Sequence, residues 1–270
     1  MPELPEVEVT RLGICDKLVG ARIAGVAIHS AKFRAMLPDG LSLVLTGQTV
    51  QSVLRRGKYL ILTCEAGSLL LHLGMTGHLR LVAGGSEAGA HDHFDLLLDS
   101  GLMLRMNDVR RFGSLSWTSH DPLQHKRLKA IGPEPLTGSL TGEYLFRKSR
   151  GKKIALQRLL MDSAVVAGIG NIYAAESLFR CRFLPDTPAG ALSLSDCSRL
   201  CAAIKETLST SIAAGRSAMD FTVAEEKLAY FPQKLHVYGR EGSPCRECGA
   251  AIKRGRLGTR STFFCPACQR

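Results

Sequence analysis

The tightest constraint on this chain lies near its C-terminal end, where Cys245, Cys248, Cys265 and Cys268 form a C-x₂-C-x₁₆-C-x₂-C array. Two such knuckles brought together place four thiolates at the corners of a tetrahedron. One structural Zn²⁺ takes that arrangement, and with all four positions filled by protein it has none left for chemistry. A redox dithiol pair or a set of unrelated thiols is the alternative reading; the doubled knuckle fits zinc better. Between the knuckles lie Lys253, Arg254, Arg256 and Arg260, separated by apolar or small residues. A closed zinc site does not need that charge, so the basic loop is expected to face outward, toward a phosphate-bearing partner.

The whole chain carries the same bias. Its 35 Lys and Arg against 24 Asp and Glu give a net charge of +11 and a pI near 9.4. Such an excess attracts polyanions and speeds their encounter, which is compatible with nucleic acid, a ribosomal neighbour or an anionic membrane. The other cysteines, Cys15, Cys64, Cys181, Cys197 and Cys201, show no framework spacing and read as small apolar fillers kept reduced. No N-terminal apolar signal region is present, and no apolar run approaches the ~20 residues of a membrane span. A soluble, cytoplasmic protein is expected, and 270 residues suffice for about two domains with cores of their own.

The pattern changes along the chain. Pro5 suits the first turn of a helix running to about Val19, where Gly20 stops it, with Glu6 and Glu8 at its positive end. From Ala21 to about Trp117 the period is two. Arg22–His29, Val50–Arg56, Tyr59–Cys64, Ser68–Leu73, Leu79–Val82, Phe94–Leu98 and Leu102–Met106 read as strands, and Asp99-Ser100-Gly101 as a hairpin turn. So many short strands in succession predict an antiparallel sandwich or barrel. Gly132-Pro133-Glu134-Pro135-Leu136 marks a boundary. Beyond it, Tyr144–Ser149, Lys153–Met161, Asn171–Cys181 and Ser195–Ala214 read as helices, with Asn171 at an N-cap position that aims a helix N-terminus at an anion. Ser217–Gln233 lacks periodicity and reads as a mobile loop.

The start, Met1-Pro2-Glu3-Leu4-Pro5-Glu6, is the second informative feature. Methionine before proline is commonly trimmed, which leaves Pro2 a free secondary amine with a reference pKa of about 8. Attack of that amine on a sugar C1′ gives an iminium ion with no N–H to lose, an electron sink for later eliminations. Glu3 beside it can move protons.

Taken with the basic zinc ribbon, the chain resembles the formamidopyrimidine-DNA glycosylase family. The likeness rests on PELPEVEVTRLG at the start, RRGKYLIL at 55–62, HLGMTGHLR at 72–80, HDHFDL at 91–96, RRFGSLSW at 110–117 and GPEPL at 132–136. It continues through LLMDSAVVAGIGNIYAAESLF at 159–179, HVYGREGSPCRECG at 236–249 and STFFCPACQ at 261–269. The PELPE start is similar to the formamidopyrimidine branch rather than the endonuclease VIII branch. The resemblance implies an α+β multidomain fold: an N-terminal antiparallel β-sandwich with a flanking helix over 1–132, a helix-two-turn-helix DNA-binding domain over 133–234, and a C-terminal zinc ribbon over 235–270.

It also implies a bifunctional DNA glycosylase and abasic-site lyase of base excision repair. Such an enzyme removes 8-oxoguanine and formamidopyrimidines from duplex DNA, as a monomer of the bacterial cytoplasm that joins the nucleoid when bound. Pro2 would be the nucleophile, Glu3 the acid that protonates the opening sugar, Glu6 a supporting carboxylate and Lys58 an aid to strand cleavage. Arg260 would clamp the phosphate of the damaged nucleotide. Met75, Arg110 and Phe112 would fill the hole left by an extruded base. By sequence alone Met75 and Phe112 are core residues, but the glycines around them favour loop tips. His91, Arg110, Lys152 and Asn171 would contact backbone phosphates, with Tyr238 and Lys253 as secondary contacts. Lys152 belongs to the basic run 147–153, most of which is expected to be a solvated face. One position departs from the pattern: Gln157 stands where many relatives carry lysine near the lesion, which changes the electrostatics there.

Overall fold

The computed structural model describes residues 1–29, 40–218 and 234–270. They gather into two compact units, one built on Met1–Lys129 and the other on Ala130–Ala213 with Gln233–Arg270. Among the described residues no helix is long and apolar enough to cross a membrane.

The first unit opens with helix α1 (Leu4–Leu18), one residue earlier than proline alone suggests. Its N-cap is Glu3, and the Glu6 side chain accepts the Glu3 N–H at 2.8 Å, one arm of a capping box. Among the described residues eight strands follow: β1 (Ile23–Ile28), β2 (Val50–Arg56), β3 (Tyr59–Cys64), β4 (Gly67–His72), β5 (His78–Ala83), β6 (Asp92–Leu98), β7 (Leu102–Asn107) and β8 (Ser114–Thr118). They pair antiparallel in two four-stranded sheets, β1-β6-β7-β5 and β2-β3-β4-β8. Neighbouring residues Leu60 and Ile61 of β3 point to opposite faces, yet both are buried, so this sheet is covered on both sides. Leu41–Leu45 forms a single helical turn, α2, that sequence reading did not register. Its Leu-Ser-Leu-Val-Leu alternation imitates a strand, but Leu41 and Leu45 are buried one turn apart while Leu43 is 86% exposed.

A charged network lies inside the β1-β6-β7-β5 sheet. Arg105 on β7 is buried and donates twice to Asp95 on β6, at 2.8 and 2.7 Å, with Asp92 3.5 Å away. Asp92 accepts further bonds from Arg80, Asn107 and the Gly89 N–H. Burial alone would raise the Asp92 carboxyl, but these donors and the two guanidiniums hold it below its ordinary value. Through Arg80 and Asn107 the network ties together the ends of β5 and β7 that carry the two crossing loops described below.

The second unit contains α3 (Gly142–Ser149), α4 (Leu156–Leu160), α5 (Asn171–Arg180) and, as far as Ala213, α6 (Leu194–Ala218), then β9 (Lys253–Leu257) and β10 (Arg260–Phe264) as one hairpin. α4 begins three residues later than its sequence pattern predicts. The Leu156 and Gln157 N–H groups are taken by the carbonyls of Thr187 and Pro185, and Ala155 bridges to Pro188, so the preceding residues are extended. α6 is longer than expected; Ser193 and Asp196 cap it reciprocally. It takes in Ser217 and Ala218 of the stretch read as a mobile loop, and the rest of that stretch, 219–233, lies outside the described residues.

Candidate functional site

In the first unit the expected catalytic residues meet at one end of the sandwich. Glu8 on α1 accepts the Arg55 Nε–H at 2.8 Å, and Arg11 donates to the Val53 carbonyl at 3.3 Å. Stepping toward the N-terminus of α1 therefore means stepping along β2 toward the β2–β3 turn, where Lys58 sits. Pro2 and Glu3 are buried at that end, with Glu3 1% exposed, while Met1 is exposed. Burial would raise the Glu8 carboxyl, but Arg11 and Arg55 hold it below the usual range, so this strut stays ionised at neutral pH.

Strand register brings the DNA-contact candidates of this unit to the same end. Tyr59 beside Lys58 pairs with His72, and His72 pairs with Ser114. In the other sheet His78 pairs with Asn107, and Asn107 with Asp92. Residues 73–77 thus leave β4 and enter β5, while 108–113 leave β7 and enter β8, so the two crossings run side by side. Met75 projects from the first and is 36% exposed; Phe112 projects from the second and is 37% exposed. The Arg110 guanidinium lies 4.8 Å from the Phe112 ring centre. His91, before β6, is exposed beside them. The flanking glycines do more than mark tips. A Cβ on Gly74 would stand 2.4 Å from the Phe112 carbonyl carbon, so the two backbones could not run this close with any other residue there.

The second unit corrects the expectation for Asn171. It is the first residue of α5; the N-cap is Gly170, without a side-chain cap bond. The Asn171 amide instead donates to the Ser261 carbonyl at 2.7 Å and accepts from Gln157 at 2.7 Å. A glycine with extended backbone can end the preceding loop as a cap, which leaves Asn171 to reach sideways to β10. Gln157 is buried and uses both ends of its own amide, because its oxygen accepts the Thr262 hydroxyl. Thr262 and Arg260 alternate onto one face of β10, so the bond that seats Thr262 also sets the start of the strand from which Arg260 extends.

Arg260 is exposed and lines a cavity of about 410 Å³ with Gln157, Arg158, Met161, Asp162, Asn171 and Leu257–Thr259. Lys152 is exposed on the turn after α3 and is not part of that wall. Arg150, in the same basic run, turns onto the Phe146 ring and donates to the Leu192 carbonyl. Replacing Gln157 by leucine should destabilise this unit by about 2–4 kcal/mol, because an acceptor on Asn171 and the Thr262 hydroxyl lose their partner in a buried site. Denaturant unfolding of the Gln157→Leu variant measures it.

The four cysteines are gathered as their spacing predicts, with every Sγ within 4.8 Å of the others. Cys245 and Cys268 are 3.9 Å apart and Cys248 and Cys265 3.5 Å, close to the ~3.8 Å edge of a tetrahedron with zinc–sulfur bonds of about 2.3 Å. Burial opposes ionisation of Cys245, but N–H groups of Glu247 and Cys248 and the neighbouring thiols bring it down to about 7. Burial and the neighbouring sulfurs push Cys268 up to about 12. A dication is what lets all four sulfurs become thiolates together. The donor set, spacing and shell fit one structural zinc. The remaining buried thiols are inert: burial pushes Cys64 and Cys181 up to about 11 and Cys201 to about 12.

Sequence reading passed over two buried acids. Glu176, on the apolar face of α5, accepts the N–H groups of His236, Val237 and Tyr238 at 2.8–2.9 Å and so anchors the entry to the ribbon. Its only signal was a charge within an otherwise apolar helix face. Asp108 opens the second crossing loop, its carboxylate bonded to Thr76 of the first, and carried no signal beyond an Asn-Asp pair at a strand end. Tyr238 packs edge-on against Phe263, and Lys253 is exposed.

Comparison with known proteins agrees with this geometry. Three family models match: the formamidopyrimidine-DNA glycosylase N-terminal domain over residues 1–115, the formamidopyrimidine-DNA glycosylase H2TH domain over 131–223, and a zinc finger found in FPG and IleRS over 242–270. The formamidopyrimidine-DNA glycosylase of Geotalea uraniireducens is 54% identical over 270 residues, covering all of both chains. That of Geobacter metallireducens is 49% identical, again over both full lengths. A Lactococcus lactis FPG mutant solved with a Fapy-dG containing DNA superposes with a TM-score of 0.90 at 33% identity, over 100% of each chain. The L. lactis protein in complex with an abasic site containing DNA gives 0.89 at 33% identity, over 99% of each. By sequence over its whole length and by fold, the chain belongs to the formamidopyrimidine-DNA glycosylase family.

Proposed function

We propose that the chain excises oxidised purines, 8-oxoguanine and formamidopyrimidines among them, from duplex DNA and then cuts the strand at the abasic site, with Pro2 as nucleophile. The observation that carries this reading is the start of α1. Pro2 and Glu3 are buried together, the Glu3 backbone is held by Glu6, and the helix leads to the end of the sandwich where Lys58 and the crossing loops gather. The names of the relatives and the DNA in the L. lactis complexes support the substrate class.

In this reading the Pro2 lone pair, free once Met1 is gone, forms the N–C1′ bond as the glycosidic bond breaks and the base leaves with its electron pair. The amine then loses its proton. Glu3 protonates the ring oxygen as C1′–O4′ opens, leaving the iminium. Loss of a C2′ proton expels the 3′ phosphate, and loss of a C4′ proton expels the 5′ phosphate, which leaves a one-nucleotide gap; Lys58 assists these steps. Arg260 grips the phosphate of the damaged nucleotide through two oxygens. Met75, Arg110 and Phe112 fill the vacated stack. His91, Arg110, Lys152 and Asn171 bind backbone phosphates. For Asn171 the contact comes from the second hydrogen of its amide, since the first is given to Ser261. Zinc, held by Cys245, Cys248, Cys265 and Cys268, keeps the ribbon in shape.

Three functional segments follow: a catalytic sandwich over 1–132, a helix-two-turn-helix domain over 133–234 and a ribbon over 235–270. The extents of the three family matches support this division. The bacterial sources of the relatives support action on the nucleoid in the cytoplasm. Borohydride reduction during turnover should weld the protein to 8-oxoguanine or abasic duplex; correctly processed protein that gives no adduct would refute covalent catalysis. Cutting of 8-oxoguanine in preference to thymine glycol separates this reading from a pyrimidine-directed relative, and failure to cut either would leave only a nucleic-acid binder.

A further inference from the structure

We infer that Asp108 is a positioning residue for base extrusion: its buried carboxylate clasps the two crossing loops so that Met75, Arg110 and Phe112 are presented as one wedge. The inference rests on the assignment of those three side chains to the vacated stack. Asp108 itself is completely buried. One carboxylate oxygen accepts the Thr76 hydroxyl at 2.5 Å and the Arg110 N–H at 3.2 Å; the other accepts the Gly113 N–H at 2.7 Å. Thr76 completes the link, since its hydroxyl donates to Asp108 and accepts the Arg110 N–H at 3.1 Å. The residue after Met75 is therefore tied to the residues that bear and follow the other two wedge side chains.

The backbone of Asp108 extends the clasp. Its carbonyl accepts from His93 Nε2 at 2.8 Å and from the Arg111 N–H at 3.3 Å, and its own N–H donates to the His91 carbonyl at 2.9 Å. Arg111, between the two exposed wedge residues, has a φ of 57°. A side chain other than glycine rarely takes that conformation, and it persists where its surroundings over-determine it. The Asp108 bonds on either side supply that restraint. Space is equally tight: a Cβ on Gly113 would stand 2.4 Å from Met106 Cε and 3.2 Å from the Asp108 carboxylate.

A loose wedge can still contact DNA, but it cannot hold an emptied stack open with a fixed geometry, and errors of about 1 Å in a positioned group cost on the order of 100-fold in rate. The clasp should therefore matter where a base must leave a duplex and be dispensable where none needs to. Two substrates separate these cases: 8-oxoguanine in duplex DNA, followed by excision, and an abasic site in single-stranded DNA, followed by borohydride trapping. Thr76→Val removes the hydroxyl at constant shape, and Asp108→Asn turns one acceptor into a donor facing a donor.

Each should lower kcat/KM for duplex excision by roughly tenfold or more, the scale of one hydrogen bond to a charged group. Trapping on the single strand should stay within about twofold, Thr76→Ser should restore excision, and the double variant should lose less than the product of the single losses, as for groups acting as one unit. Unchanged duplex excision in Thr76→Val and Asp108→Asn overturns the clasp. So does an equal loss on both substrates, which would mean general damage to the sandwich. Phe112→Ala and Met75→Ala test the underlying assignment: if they excise as the parent does, the wedge reading fails, whereas their loss beside intact clasp variants fails the clasp alone.

Discussion

Exchange of Pro2 for leucine should abolish borohydride trapping and slow cleavage of 8-oxoguanine duplexes by at least about 10³-fold, the scale on which removal of a covalent nucleophile acts. Leucine has two effects. It replaces the imino terminus, and its bulk disfavours removal of the preceding methionine, so the first amine is displaced by one residue. The affinity for uncleaved abasic duplex should change little, because the proposed phosphate contacts lie elsewhere: His91 and Arg110 on loops, and Lys152, Asn171 and Arg260 in the second unit. The local fold should also persist. α1 is capped by Glu3 and Glu6 and strapped to β2 through Glu8, Arg11 and Arg55, none of which uses the Pro2 side chain. A variant of confirmed N-terminus that still gives the trapped adduct at the parent rate would exclude Pro2 as the attacking group. Glu3→Gln separates the first step from the second. With the proposed nucleophile intact and the proposed proton donor gone, base release should suffer less than ring opening, so the ratio of strand cleavage to base release should fall.

What the sequence reveals about this protein divides along a physical line. The cysteine ribbon, the first helix and the run of strands are legible because each is a local pattern: a ligand spacing, a first-turn proline with acids beside it, a period of two. The family resemblance then places Pro2, Lys58, Met75, Arg110, Phe112 and Arg260 by motif. Pairing is not local. Nothing in HLGMTGHLR or RRFGSLSW says that His72 faces Ser114 while His78 faces Asn107, yet that register is what lays two distant loops side by side. The same holds for side chains whose meaning lies in what they bridge. Gln157 reads as a neutral amide near a lesion; in three dimensions it is a buried tie between Asn171 and Thr262. Asn171 reads as a cap from its place after Ile169-Gly170, but Gly170 takes that role and releases the amide to β10. A five-residue helix such as α2 escapes because it contains little more than one turn, too short for a helical period to stand out against an alternating pattern.

Substituting Cys248 by serine should cost the protein its zinc and at least about 100-fold in duplex affinity while leaving the β-sandwich folded, because the ribbon has too small a core to stand without metal. That core consists of Val237, Cys245, Ile252 and Cys265 packed on Ala175 and Phe179 of α5, so two of its four ribbon members are themselves ligands. Metal coordination in such a module contributes about 10–16 kcal/mol of folding free energy, far above what a few buried side chains supply. Cys248 is the exposed member of the set, so serine there opens no cavity, and the loss can be assigned to the metal. Polar ties continue from the ribbon into the helices: Gln269 joins the Cys265 N–H to the Phe183 carbonyl, and Thr262 and Ser261 join Gln157 and Asn171. Melting of the ribbon should therefore release Asn171 together with Arg260, removing two of the proposed phosphate contacts and, through the loss of the Arg260 charge, flattening the dependence of affinity on salt as well as weakening binding. Metal analysis, salt-dependent binding to abasic duplex and a thermal melt with a retained sandwich transition check the three parts. A zinc-free variant with the parent's affinity and salt slope would show that the hairpin holds Arg260 without metal, and the structural role given to the four cysteines would fall with it.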